Sequence, residues 1–403
     1  MTREFDVVLY GATGFTGRQT AHYFAAHSPQ GLRWAIAGRN PAKLASLAAS
    51  LPQPPAGLIV ADGGDALAVN EMCQRTRVLL TTAGPFNRYG REVLSGCVRH
   101  RVHYVDITGE TPFVRDMIHL HHDAAAETGT RIIPLSGFDS VPSDLGAFLT
   151  VKALRTAYGQ GCRRVSASFK MKGGLNGGTV ASGMDMAASG QMQALEDVLL
   201  LNPPSRRSDA ERDRSPDLKR SRYDARRGTW LAPFVMAPIN SRVVRRSNAL
   251  FAQMGASYGD EFTYEESMEV RRRLQAHLVS GGSGVAEALM RSRFGRKIVG
   301  WVTPKPGEGP TEAVMDGGFF RVRLVGTADD GREVMVTMKA DGDPGNRVTV
   351  KILCESALAL ALNQDELPGG VNLGGILTPA TGLGDVLVAR LRAVGFSIET
   401  QTL

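Results

Sequence analysis

Phe5-Asp6-Val7-Val8-Leu9-Tyr10-Gly11-Ala12-Thr13-Gly14-Phe15-Thr16-Gly17 decides how the rest of the chain is read. The run from Phe5 to Tyr10 is largely apolar and stops at glycine, as a strand buried in a parallel sheet does. Phe15 to Ala26 then reads as a helix. Between them lies G-x-x-G-x-x-G, a variant of the loop that seats a dinucleotide pyrophosphate on a helix N-terminus. Gly11 permits the tight turn, Gly14 lets the backbone approach a phosphate, and Gly17 lets helix and strand pack closely. Gly11, Thr13, Gly14, Phe15, Thr16 and Gly17 are therefore the candidate phosphate-binding residues. The competing reading is a glycine turn with no ligand.

Moving outward, strand and helix patterns alternate through the first 150 residues. Strands are expected at 33–37, 58–61, 78–82, 103–106 and 131–134, and helices at 41–50, 66–73, 91–100 and 113–127. Asn40 is a candidate cap for the helix that opens at Pro41. Strands separated by helices imply right-handed βαβ units and a doubly wound parallel sheet, a Rossmann domain. The second strand ends Gly38-Arg39 where a site for NAD would place an acid on the ribose. Glycine leaves room there, and Arg39, helped by Lys43, can pair with a 2′-phosphate, so NADP is the expected cofactor. Asp62 follows the third strand, at the expected adenine edge. Ala83, Gly84 and Pro85 follow the fourth, where small residues let the backbone approach a nicotinamide.

The length of 403 residues suggests two to three domains. Hydrophobic residues at 43% and charged residues at 22% suit a globular chain with an ordinary core. Cys73, Cys97, Cys162 and Cys354 form no CxxC pair, so a reducing, cytoplasmic setting is expected. The longest charge-free stretch, Leu367–Gly384, is broken by glycines and prolines, and Arg3, Glu4 and Asp6 interrupt the N-terminus, so neither a membrane span nor a signal peptide is expected. Of the net charge of +7, four units fall between Ser205 and Arg227, where nine basic residues meet five acidic ones. That segment lacks interleaved aromatics, which speaks against nucleic acid. A solvated loop or contact with an acidic carrier domain are the alternatives.

After Val151 the pattern changes to α+β. Val165–Met171 alternates like a half-exposed strand, Thr179–Leu201 reads as a helix, and 202–229 reads as an arginine-rich surface insertion. Phe319–Thr327 and Glu333–Ala340 flank Asp329-Asp330-Gly331 as a hairpin with antiparallel strands. Helices are expected at 348–362 and 378–394. The division is thus 1–150 for the Rossmann domain, 151–350 for a second α+β domain serving substrate or dimer formation, and 351–403 for C-terminal helices packing back on the first.

No tyrosine precedes a lysine by four positions: Tyr89 meets Val93, Tyr104 meets Thr108 and Tyr158 meets Cys162. Short-chain dehydrogenase chemistry is thereby disfavoured. The glycine loop with Ala37-Gly38-Arg39, Ala83-Gly84-Pro85-Phe86, Tyr104-Val105-Asp106-Ile107-Thr108-Gly109-Glu110 and Gly137-Phe138-Asp139-Ser140-Val141-Pro142-Ser143-Asp144-Leu145-Gly146 resembles the saccharopine dehydrogenase-like oxidoreductases. Within them the chain is most similar to the trans-acting enoyl reductases of mycobacterial lipid synthesis, whose ending Gly374-Gly375-Ile376-Leu377-Thr378-Pro379-Ala380-Thr381 resembles. The likeness covers nearly the whole chain, the segment 205–227 excepted. It implies NADPH-dependent reduction of an enoyl thioester on a polyketide synthase or carrier protein. The alternatives are another substrate of the same fold, or a lipid-associated NADP-binding adaptor without turnover.

Enoyl reduction needs hydride at the β-carbon, a donor to the thioester carbonyl and a proton at the α-carbon, with no metal. Tyr89 is a candidate donor. Asp106 and Glu110 flank the turn after the fifth strand. Asp139 and Ser140 follow the sixth and are catalytic candidates, although Ser140 and Ser143 also suit helix capping and Asp139 also suits fixing a loop. His119, His121 and His122 read as a solvated helix face. Met184, Met186 and Met192 read as core or as the lining of an acyl channel. Contact with a membrane or lipid surface, and a homodimer, stay open.

Overall fold

The computed structural model describes residues 3–174, 176–305 and 307–403. Its first half follows the alternating pattern: β1 (Phe5–Tyr10), α1 (Phe15–His27), β2 (Trp34–Gly38), α2 (Pro41–Ser50), β3 (Gly57–Val60), α3 (Ala66–Gln74), β4 (Thr76–Thr81), α4 (Phe86–Arg99), β5 (His103–Asp106), α5 (Thr111–Glu127) and β6 (Arg131–Ile133). The Asn40 side chain accepts from Lys43 N at 2.9 Å and caps α2. The strands lie parallel in the order β3-β2-β1-β4-β5-β6, which places the ends of β1 and β4 side by side at the point where the order reverses.

The second half runs α6 (Val141–Tyr158), β7 (Cys162–Lys172), α7 (Gly177–Ala188), α8 (Asp209–Arg214), β8 (Arg222–Asp224), β9 (Thr229–Pro233), α9 (Ala237–Gln253), β10 (Thr263–Val270), α10 (Arg273–Arg291), α11 (Arg293–Val302), α12 (Glu312–Asp316), β11 (Phe319–Ala328) and β12 (Glu333–Asp341). The chain ends with α13 (Thr349–Leu362), β13 (Gly375–Ile376), α14 (Pro379–Gly382), α15 (Gly384–Ala393) and β14 (Ser397–Thr402). A second, mixed sheet has the order β14-β12-β11-β7-β10-β9-β8, with β7 and β10 parallel and the hairpin β11–β12 antiparallel. β13 joins the edge of the first sheet beside β6, and β14 joins the second beside β12, so the C-terminal segment belongs to both.

The two sheets share a core. α13 packs against α1 and the strands β1, β4 and β5, and one cluster of buried side chains runs from Leu9 and Ile36 through Leu353 and Leu358 to Phe320 and Val336. α6 lies on β11 and β12, where Gly326 admits the α6 residue Thr150: a Cβ there would stand 2.3 Å from its Cγ2.

Three expectations needed correction. The helix read from Thr179 to Leu201 stops at Ala188, because Gly190 takes φ +76 and a short 3-10 turn, Gln191–Glu196, follows. The helix read at 378–394 is interrupted where Gly384 takes φ +49. The insertion 202–229 lies at the surface as read, but it is not a plain solvated loop. It carries α8 and β8, and Asp217 reaches the buried Arg242 at 2.5 Å. Residues 230–318, for which the sequence pattern predicted no element, hold most of β9, the strand β10 and the helices α9, α10, α11 and α12.

Candidate functional site

The carboxyl ends of β1, β2, β4 and β5 open onto one cavity of about 1830 Å³. A small-ligand pocket typically measures roughly 300–1,000 Å³, so this one has room for a cofactor and a second ligand together. Its first wall is the glycine loop. Gly11 has φ +82, and a Cβ there would stand 2.9 Å from Ala83 N. A Cβ on Gly17 would stand 2.2 Å from the Gly11 carbonyl, so helix and turn touch directly. A Cβ on Gly14 would meet only the Gly11 carbonyl, at 3.4 Å. Gly14 thus faces open space, as the approach of a ligand requires.

α1 begins at this loop with no side-chain cap and no acid in its first turn. Its first helical bond runs from Arg18 N to Gly14 O at 3.0 Å. The amides of Phe15, Thr16 and Gly17 precede that bond, and with the helix dipole they make an anion site. Gly38 is buried at the end of β2, while Arg39 and Lys43 are exposed beside it and line the same cavity with Asp62. Arg39 and Lys43 join no ion pair among the described residues. Bare amides, an open glycine and two uncommitted cations are what a phosphorylated dinucleotide needs, and the residues fit it.

The loop after β4 is held in place from behind. Ala83 N donates to Thr81 Oγ1 at 3.2 Å and Gly84 N to Thr82 O at 3.1 Å; the Gly84–Pro85 peptide is cis. α4 has no cap of its own. The buried Glu110 carboxylate accepts from Phe86 N and Asn87 N, both at 2.8 Å, and from Ser182 Oγ of α7 at 2.7 Å. Asp106 accepts from Tyr104 Oη at 2.7 Å, Thr108 N at 3.0 Å and Leu135 N at 2.9 Å. Burial pushes its carboxyl up to about 7 despite those three donors. Both acids fasten loops, and neither lines the cavity.

The catalytic candidates separate. Tyr89 stands on the cavity wall, 40% exposed. Asp139 lines the cavity half-buried, its carboxylate in no hydrogen bond among the described residues, and desolvation alone pushes it up to about 6. A loop-fixing role for Asp139 is therefore not what the side chain does. Ser140 is buried and donates to Asn240 Oδ1 at 3.2 Å, away from the cavity. Ser143 donates to Glu266 Oε2 at 2.8 Å. Neither serine caps α6; both reach across to the second sheet and to α9.

The opposite wall comes from the second half of the chain: Met186, Met192, Phe234, Met236, Ile239 and Met290. Met184 does not line the cavity. The β9–α9 turn, missed from sequence, supplies much of this wall. Pro238 in the first turn of α9 was the available signal. His119 is exposed as read, but His121 and His122 are half-buried and engaged: His121 Nε2 lies 2.9 Å from Ser95 Oγ, and His122 Nδ1 accepts from Ile376 N at 3.1 Å. The four cysteines are buried free thiols.

A parallel sheet of this strand order, with bare glycine-loop amides and a cationic second-strand end, defines an oxidoreductase that binds NADP, and residues 7–133 match the saccharopine dehydrogenase NADP binding domain. The chain is 38% identical to a Mycobacterium tuberculosis protein over 100% of this chain and 98% of that one. It is 36% identical to trans-acting enoyl reductases of Mycobacterium bovis and Mycobacterium ulcerans, each over 100% of this chain and 99% of the other. It belongs to the trans-acting enoyl reductase family, as its motifs suggested. Apo saccharopine dehydrogenase (L-Glu forming) from Saccharomyces cerevisiae has the same fold, with a TM-score of 0.55 and 13% identity over 98% of this chain and 99% of that chain. Among the described residues no helix is long and apolar enough to cross a membrane.

Proposed function

We propose that this protein reduces the double bond of an enoyl thioester presented by a polyketide synthase or its carrier domain. The observation that carries the reading is the single cavity in which the glycine loop faces a wall of methionines. A flexible apolar acyl chain suits such a wall, because Met adapts its shape at little cost. In this division of labour residues 1–150 serve the cofactor, 151–350 the acyl chain, and 351–403 tie the two together.

NADPH supplies the hydride when bound. The loop amides at Phe15 to Gly17 hold its pyrophosphate, and Arg39 with Lys43 hold the 2′-phosphate. Ala83, Gly84 and Pro85 leave space for the ring. As the β-carbon is reduced, charge develops on the thioester oxygen. The Tyr89 hydroxyl donates to that oxygen, and Asp139 delivers the proton to the α-carbon, which balances the addition of two hydrogens across the bond. A carboxyl held near 6 is still protonated in part at neutral pH, which is the state a donor needs. Ser140 has no part in this chemistry.

The test is NADPH oxidation against a panel of enoyl thioesters, free and carrier-bound, with saccharopine as the control. Turnover of the enoyl thioesters alone is expected. Saccharopine turnover without enoyl reduction overturns the reading.

A further inference from the structure

The segment 271–305 holds eight basic residues and one acid, a net +7 that equals the formal charge of the entire chain. Its charge exceeds the net +4 of 205–227. In the structure most of the arginines of that earlier segment are committed: Arg207 pairs with Asp197, Arg222 with Glu265, Arg226 with Glu333 and Arg227 with Asp224. Within 271–305, Arg271, Arg272, Arg273, Arg293 and Lys297 are exposed.

The same segment turns apolar side chains outward. On α11, Phe294, Ile298 and Trp301 recur at helical spacing on one face, and they are 75%, 36% and 86% exposed. The helix is held by its other side. Gly295 packs on the end of α10, Arg296 Nη1 donates to Met290 O at 2.9 Å, and a Cβ on Gly300 would stand 3.4 Å from Met184 Cε of α7. α10 adds Leu274 and Leu278, one turn apart and 70% and 65% exposed. α11 is therefore an amphipathic helix mounted with its apolar face to solvent, and such a patch marks an interaction surface.

We propose that α10 and α11 dock this protein on an anionic lipid bilayer. The face of α11 turns Phe294, Ile298 and Trp301 to solvent. It pairs aromatic and aliphatic tips with flanking Arg293 and Lys297, the pattern of helices that lie in a membrane interface. A second copy is disfavoured by charge, since a symmetric contact would set one basic face against the same basic face. Ser280 and Met290, on α10, line the cavity, so docking brings the cavity beside the bilayer. The inference stands whatever the reaction.

The test is co-sedimentation of the full chain with vesicles of phosphatidylcholine, with and without phosphatidylglycerol, alongside tryptophan emission. Trp34 is buried and Trp230 half-buried, so a blue shift on binding reports Trp301. Binding is expected only with phosphatidylglycerol and is weakened by salt. Phe294→Ser/Trp301→Ser and, separately, Arg293→Glu/Lys297→Glu should each weaken it by about tenfold or more, with melting temperature and NADPH affinity unchanged. Failure of the unaltered chain to bind anionic vesicles at low salt overturns the proposal, and so does binding that both variants retain. A self-association that Trp301→Ser abolishes, without vesicle binding, overturns it too and assigns the face to a second copy.

Discussion

Two helices near the cavity treat their polar groups in opposite ways. α1 starts with amides that no described residue satisfies, beside two cations that pair with nothing among the described residues. α9 buries Arg242, Arg245 and Arg246 at 1–2% exposure and pairs the Nη groups of all three, leaving each Nε without a partner among the described residues. Arg242 Nη1 holds Asp217, and its Nη2 holds the Leu195 carbonyl. Arg245 donates to Val198 O at 3.0 Å and Ser215 O at 2.9 Å. Arg246 donates to Leu201 O and Ile376 O, both at 2.5 Å. Burial lowers its guanidinium only to about 9, so it stays charged at neutral pH. A buried charge survives when acceptors hold both ends of its guanidinium fork, as the Nη groups are held here. On α1 the open donors face the cavity instead of the core, and that placement points to a ligand.

The sharpest way to break this contrast lies within the glycine loop. Gly14→Val should abolish measurable NADPH binding by titration while the melting temperature holds, since its side chain enters only ligand space. Gly17→Val should give no folded protein, because its Cβ collides with the Gly11 carbonyl. Matching behaviour of the two variants would sink the assignment of Gly14 to the ligand.

Next in size is Asp139→Asn, which should lower kcat by about 10²-fold or more with NADPH affinity kept. A donor that must be protonated loses activity as pH rises through about 6. That alkaline limb in the pH profile should be absent from the residual activity of the variant. A limb that persists would remove Asp139 from the proton path.

On the structural side, Arg246→Leu should destabilise the fold by about 3 kcal/mol, because two buried carbonyls lose charged donors. Denaturant unfolding should show this, with NADPH affinity of the folded fraction unchanged. Arg39→Ala should do the reverse. It should leave unfolding untouched, weaken NADPH by about 10- to 100-fold, and leave NADH binding as it was. Equal losses for the two cofactors would mean that Arg39 does not read the 2′-phosphate.

The sequence was most legible where function depends on residues close together in the chain. A strand, a turn and a helix start within thirteen residues of Phe5, and backbone sterics permit few alternatives to glycine there. Asn40, the hairpin around Gly331 and the strands of the first sheet are local in the same sense. Ser140 and Ser143 looked like caps because capping is the local use of a serine. Their partners, Asn240 and Glu266, lie about a hundred residues away or more, and no spacing rule reaches that far. Met186 and Met192 were legible as core or acyl-channel lining, but the rest of that wall, Phe234, Met236, Ile239 and Met290, and the arginine pins of α9 were hidden for the same reason.

The sequence by itself determined the parallel sheet, the dinucleotide loop, the preference for NADP and the family, because each is written in short-range pattern. Only the tertiary structure decided which polar residues are available for chemistry. Glu110 and Asp106 flank the neighbouring turn, and folding committed both to backbone amides while leaving Asp139 in the cavity without a partner among the described residues. Tertiary structure also decided that the insertion is pinned and that α11 shows its apolar face to solvent. Burial and pairing arise when distant segments meet, and those contacts, rather than residue type, fix whether a charge holds the fold together or acts on a ligand.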